Sequence, residues 1–233
     1  MKLKNTSKYQ AAIAKTAKWV LERQKDDGSF NDGNVIQVYY NAVNFLTKVG
    51  AFAESARLAD WIATTFLKSD GDFRGEPDSR SAQQKVLRHV YMDGWLVHSF
   101  QRMGRFDLSK AGLQYIFSFH DEATGGFWSA ANPDYTPKKE LLELSSTSSG
   151  GLAELYCGHV EHAKWAANFI CMLVDAQPDF KHRLYTVYKP GKGLVTDPPE
   201  NMVDAYVVDS QKEWAWYWQM GFAMHLLGKI YLA

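Results

Sequence analysis

The chain has 233 residues, 26 Lys+Arg against 26 Asp+Glu, and a formal net charge of zero. That balance lacks the basic face that nucleic-acid binding needs, and without an obvious linker it reads as a single domain, 1–233. Two cysteines, Cys157 and Cys171, do not make a disulfide framework. No run nears the ~20 apolar residues of a membrane span, and MKLKNTSKYQ holds no apolar signal core, so a cytoplasmic protein is expected.

In chain order, helices are predicted over 7–24, 35–48, 53–68, 84–103, 107–119, 140–157, 160–174 and 211–230. Loops lie at 25–33 (KDDGSFNDG), 69–80 (SDGDFRGEPDSR), 120–137 (HDEATGGFWSAANPDYTP) and 176–210. The last contains RLYTVYKPGKGLVTD, which predicts a small β-hairpin near 183–197. Gly50, Gly104 and Gly158 recur 54 residues apart. Each sits where a left-handed residue would close one helix before the next begins. A fixed period with the same punctuation means one supersecondary unit used repeatedly. Helices starting at 53, 107 and 160 have one polar face, while those at 35, 84 and 211 are apolar nearly all round. A helix apolar on every side is surrounded by protein.

Inner helices alternating with outer ones describe an all-α fold, an α/α toroid of helical hairpins. Helix 7–24 is of the outer type without an inner partner before it, and pairing it with 211–228 would close a ring of four hairpins. RQKDDGSF and SDGDF resemble the glutamine-aspartate-glycine-aromatic loops of terpenoid cyclases, and HDEATGGFW and KEWAWYWQ resemble segments of sugar epimerases. The resemblance is to the α/α-toroid superfold, which also holds the protein prenyltransferase β-subunits. It implies architecture rather than a reaction. The chain lacks the aspartate-rich motif that protonates alkenes in cyclases, and the Asp-x-Cys zinc pattern of the prenyltransferases.

The repeat yields a map of candidate residues. Fifteen residues before Gly50, Gly104, Gly158 and Gly228 stand Val35, His89, Glu143 and Glu213; eleven before stand Tyr39, Asp93, Thr147 and Tyr217. The spacing of four keeps both sets on one helical stripe. Asp93 interrupts an otherwise apolar stripe of Val86, Val90, Val97 and Phe100, where a carboxylate must be paired or protonated. His89 lies one turn before it. The expectation is that His89, Asp93, Glu143 and Glu213 converge as acid–base groups on a central cavity, with the substrate held by Tyr39, Thr147, Tyr217, Trp214 and Trp218. The competing reading is a His–Asp bond bracing a buried helix, with Glu143 and Glu213 as first-turn residues favoured by the helix dipole.

The function expected is an isomerase, lyase or cyclase acting on a small molecule. A carbohydrate-active epimerase or glycoside hydrolase or lyase is one alternative, and a non-catalytic binding or scaffold toroid another. No nucleotide loop or nucleophile elbow is present. No cofactor is expected. Cys157, His159, His162 and Cys171 read as packing and capping residues, so no metal is expected either.

Overall fold

Gly50, Gly104 and Gly158 adopt left-handed conformations, with φ of 83°, 85° and 90°, and each turns the chain between two antiparallel helices. The computed structural model describes residues 6–30, 33 and 35–233. Helix α1 spans Ser7–Leu21, and α2 (Ile36–Tyr39) leads into the first hairpin, α3 (Ala42–Lys48) and α4 (Phe52–Phe66). Helix α5 (Ala82–Leu87) precedes the second, α6 (Tyr91–Met103) and α7 (Phe106–Ser118). Strands β1 (Trp128–Ala131) and β2 (Pro137–Glu143) precede the third, α8 (Leu144–Tyr156) and α9 (Val160–Asp175). Then come β3 (Arg183–Tyr185), β4 (Val187–Lys189), β5 (Gly193–Leu194), α10 (Val203–Tyr206), β6 (Val207–Asp209) and α11 (Trp218–Leu232).

Helix accounts for 55% of residues and strand for 12%. Strands β1, β2, β4 and β5 form one antiparallel sheet in that order, and β3 pairs with β6. The hairpin predicted near 183–197 is present as β4 and β5, with Tyr188 opposite Leu194. The sheet takes residues 140–143 from the helix predicted over 140–157: Leu142 pairs with Trp128 on one side and Tyr188 on the other. The predicted helix 84–103 breaks at Arg88–Val90, where the N–H of His89 donates to the Ser129 carbonyl at 3.0 Å instead of to its own helix. The predicted helix 211–230 begins late, at Trp218; residues 211–217 form turns, and Asp209 accepts the N–H of Gln211. Among the described residues, no helix is long and apolar enough to cross a membrane.

Helix α6 packs between α3 and α8, and α8 packs against α11, so the four follow one another in space as in sequence. Helices α6 and α8 bury nearly all of their sides. They meet at the backbone: a Cβ on Gly94 would stand 2.6 Å from the Ser149 carbonyl carbon. The serine-rich start of α8 serves this close packing, and the hydroxyls of Ser148 and Ser149 turn back onto the helix's own carbonyls, Ser148 to Leu144 at 2.7 Å. Helix α1 buries none of its residues and forms no extended packing with α11. The ring closure expected from that pair is not made.

Three glycine-aromatic loops tie the hairpins together. Gly28, Gly71 and Gly125 press against the carbonyls of Arg57, Ala111 and Trp165, each seven residues past its hairpin glycine; a Cβ there would stand 2.3, 2.3 and 2.2 Å from those oxygens. The next aromatic in each loop is buried: Phe30, Phe73 and Phe127. Each is clasped from the helix by the residue eleven before the hairpin glycine. The Tyr39 hydroxyl reaches the Phe30 carbonyl at 3.3 Å, Asp93 accepts the N–H of Phe73 at 2.9 Å, and Thr147 accepts that of Phe127 at 3.0 Å. The tier expected to carry chemistry is therefore, in these three members, the tier that holds the loops.

Candidate ligand cleft

The break between α5 and α6 turns two consecutive side chains into two different cavities. Arg88 lines a cleft of about 410 Å³ with Tyr40, Ser81, Gln83, Gln84, Tyr91, Trp216, Trp218 and Phe222. His89 lines a smaller cleft, about 260 Å³, with Asp78, Lys85, Asn132 and Tyr135.

The larger cleft stands at the N-terminal ends of two helices. Tyr91 opens α6 and Trp218 opens α11, and helix N-termini present free N–H groups and partial positive charge. Arg88 is 3% exposed. Its guanidinium lies 4.9 Å from the Trp216 ring centre and 5.1 Å from that of Trp218, within cation–π range. It donates to the Ala205 carbonyl at 2.9 Å. Glu143 stands 3.5 Å away, but its two oxygens accept the N–H groups of Ser145 and Ser146 at 2.7 Å each, capping α8. The carboxylate thus balances the guanidinium only in part. Burial, with Tyr40 beside it, raises the Tyr91 hydroxyl far above the usual phenol range, so it stays protonated.

At the smaller cleft, the Tyr115 hydroxyl donates to the Tyr135 carbonyl at 3.1 Å, so His89 Nε2, 2.8 Å away, must donate to Tyr115. Nδ1 is then a bare acceptor, buried without a partner among the described residues. Burial and the nearby Arg80 lower the His89 pKa to about 3, which keeps the ring neutral. Tyr135 adopts a φ of 65°, a strained value for a non-glycine residue.

The expected four-residue acid–base site is not assembled. Asp93 is fully buried; besides the Phe73 N–H it accepts from Arg80 at 3.0 Å. Arg80 also pairs with Asp72 and donates to the His89 carbonyl at 3.1 Å. Burial pushes the Asp93 carboxyl upward against the pull of Arg80, whereas for Asp72, also buried, the charge and hydrogen bond of Arg80, with a hydrogen bond from Arg74, outweigh burial and hold it low. Glu143 caps α8. Glu213 lies exposed in a turn, because Gly228 falls inside α11 rather than at its end and the count from it has no equivalent register. Tyr39 and Thr147 are buried clasp residues. Tyr217 is 47% exposed and Trp214 82% exposed, and neither lines the cleft, whereas Trp218 does. Arg88, Tyr91 and Trp216 line it beside Trp218. The signal for Arg88 was a cation inside a helix read as apolar nearly all round.

No family model matches this chain, and no curated protein or solved structure is detectably similar to it.

Proposed function

We propose that the chain binds a small, ring-bearing carboxylate in the Arg88 cleft and acts on it as an isomerase or lyase, on a framework that is a sector of an α/α toroid. The observation that carries this reading is the buried Arg88 guanidinium, incompletely neutralised and walled by two indoles. A carboxylate on Arg88 would gain charge-assisted hydrogen bonds, and a sugar or aromatic ring would lie against Trp216 or Trp218. The neutral Tyr91 hydroxyl, three residues from Arg88 on the same wall, keeps its proton and is placed to donate a hydrogen bond to an oxygen on which negative charge develops. A hexuronate meets both requirements, which keeps the carbohydrate-active alternative within this reading.

The test is tryptophan fluorescence titration with hexuronates and aromatic carboxylates, followed by NMR in D2O for solvent exchange or elimination. Saturable binding that Arg88→Gln weakens about tenfold or more, with turnover lost in Tyr91→Phe, supports it. Absence of binding to any carboxylate sinks it. Binding without turnover supports the non-catalytic carrier, a reading favoured by the engagement of Asp93, Glu143, Thr147 and Tyr39 in structural bonds.

A further inference from the structure

We propose that His120, Glu154 and His162 form a binding site for one divalent transition-metal ion of the zinc type. They come from the residue after the C-cap of α7, the last turn of α8 and the first turn of α9, and their ligand atoms lie within 4.8 Å of one another.

The proton count at His120 is the first argument. Its Nε2 stands 3.1 Å from the Gly125 carbonyl, which can only accept, so Nε2 carries a hydrogen. Nδ1 then faces Glu154 Oε1 at 2.7 Å, a contact that needs one further proton between them. A metal ion takes that proton's place: bonds form from the ion to Nδ1 and to the carboxylate, and one proton leaves to solvent. The Nε2 bond to Gly125 fixes the ring, as the outer hydrogen bond of a metal-bound histidine does.

The unused valences are the second. Glu154 is fully buried, its Oε2 has no hydrogen-bond partner, and among the described residues it pairs only with histidines. His162 Nδ1 also has none and lies 3.9 Å from Oε1. Ligand atoms about 2.0–2.2 Å from a shared tetrahedral ion stand roughly 3.3 Å apart. The separations of 2.7 and 3.9 Å bracket that value and the third is within 4.8 Å, so side-chain shifts of about an ångström would complete the site. The His162 side chain is 38% exposed, so the cluster lies just beneath the surface.

The repeat supplies the third. In the first loop Gln24 makes the same bond, to the Gly28 carbonyl at 3.0 Å. Closing the loop needs no imidazole. Four residues before the hairpin glycines stand Leu46, Phe100 and Glu154. Two are apolar, and nothing in the repeat calls for a buried carboxylate at the third. Two imidazoles with one carboxylate select zinc, cobalt or nickel over magnesium or calcium.

The experiment is calorimetric titration of EDTA-stripped, dialysed full chain with Zn²⁺, run in buffers of different ionisation enthalpy, with Co²⁺ absorption spectra alongside. One ion per chain is expected at micromolar Kd or tighter, with proton release and a tetrahedral-type cobalt spectrum. Tm should rise by roughly 5–10 °C at a hundredfold excess over Kd. His162→Ala spares the buried His120–Glu154 pair and should weaken binding at least about tenfold. Glu154→Gln should abolish it, and His159→Ala should leave it unchanged. No saturable binding at about 100 μM Zn²⁺, or equal binding by His162→Ala and the parent, overturns the proposal.

Discussion

At Gly71 the aromatic N–H is clasped by a carboxylate, Asp93; at Gly125, one repeat later, the same bond is made by a hydroxyl, Thr147. Thr147 also donates to the Glu143 carbonyl at 2.8 Å, so a neutral side chain meets every demand of the clasp. The charge on Asp93 is therefore surplus to the loop. What it adds is Arg80, at 3.0 Å. Residues 74–81 form an excursion that the third loop does not share, and Arg80 draws it back into the core and onto the His89 carbonyl. The comparison teaches that one repeat position can carry two chemistries for one structural task. In the second repeat the carboxylate also anchors the segment leading to the Arg88–His89 break.

The shared feature, the glycine pressed on a carbonyl, predicts the largest effect. Gly71→Ala must adopt a φ of 92° and place its Cβ 2.3 Å from the Ala111 oxygen. It should cost about 3 kcal/mol or more in urea unfolding. Gly104→Ala has the same sign of φ but nothing within 4 Å, and should cost only about 1 kcal/mol. Equal losses would mean that backbone conformation, not close approach, constrains these loops.

The unshared feature comes next. Asp93→Asn leaves Arg80 with Asp72 but breaks one buried charge pair, at a cost of about 3 kcal/mol. Thr147→Val strands one buried N–H and should cost about 1–2 kcal/mol. A smaller loss for Asp93→Asn than for Thr147→Val would reverse the roles argued for the two clasps. If Asp93→Asn left stability intact and removed turnover, Asp93 would be a reacting group after all.

Acid stability sharpens the contrast between charged and neutral burial. His98 is fully buried, neither ring nitrogen has a hydrogen-bond partner among the described residues, and burial lowers its pKa to about 3. The unfolded chain takes up its proton near pH 6.5, the ordinary value, while the folded chain does not. The stability is thus full above about pH 6.5 and is lost as pH falls toward 3, by up to about 1.4 kcal/mol per unit. His89 acts in the same direction. Asp93 and Glu154, raised by burial, act oppositely: their contribution is present at low pH and lost as pH rises. Those groups remain in His98→Phe, so its stability should fall less steeply than the parent's between about pH 6 and 4, by roughly 1 kcal/mol per unit. Parallel curves would remove His98 from the acid response.

The repeat was legible because glycine at positive φ is costly to replace and therefore leaves a periodic mark. Gly50, Gly104 and Gly158 gave the hairpins, and the residues eleven before them gave a true structural tier. The purpose of that tier was not legible, because a carboxylate in an apolar stripe looks alike whether it braces a loop or moves a proton; Arg80, thirteen residues upstream of Asp93, decides between them. Strand β2 was hidden because its partners lie elsewhere in the chain, at Trp128 and Tyr188. The His120–Glu154–His162 cluster was hidden for the same reason: in sequence His162 stands beside Cys157 and His159, not beside His120. The fourth register failed at Gly228, which has neighbours like the other glycines but lies inside a helix.

The smallest effect separates two tryptophans that the sequence grouped together. Trp214 and Trp218 were both expected to contact substrate. Trp214 is 82% exposed in a turn. Its replacement by alanine removes little buried area and should change stability by no more than about 0.5 kcal/mol. It should also leave carboxylate binding unchanged. Trp218 is 38% exposed, stacks near Tyr91 and Phe222 with ring centres 5.7 and 5.4 Å away, and walls the cleft beside Arg88. Trp218→Ala should cost about 1–2 kcal/mol and weaken ligand binding several-fold in the same titration. The pair is informative because both changes remove an indole, so a general loss of fluorescence or solubility would appear in both. A binding defect in Trp214→Ala matching that of Trp218→Ala would move the ligand out of the Arg88 cleft and onto the exposed 211–217 turn.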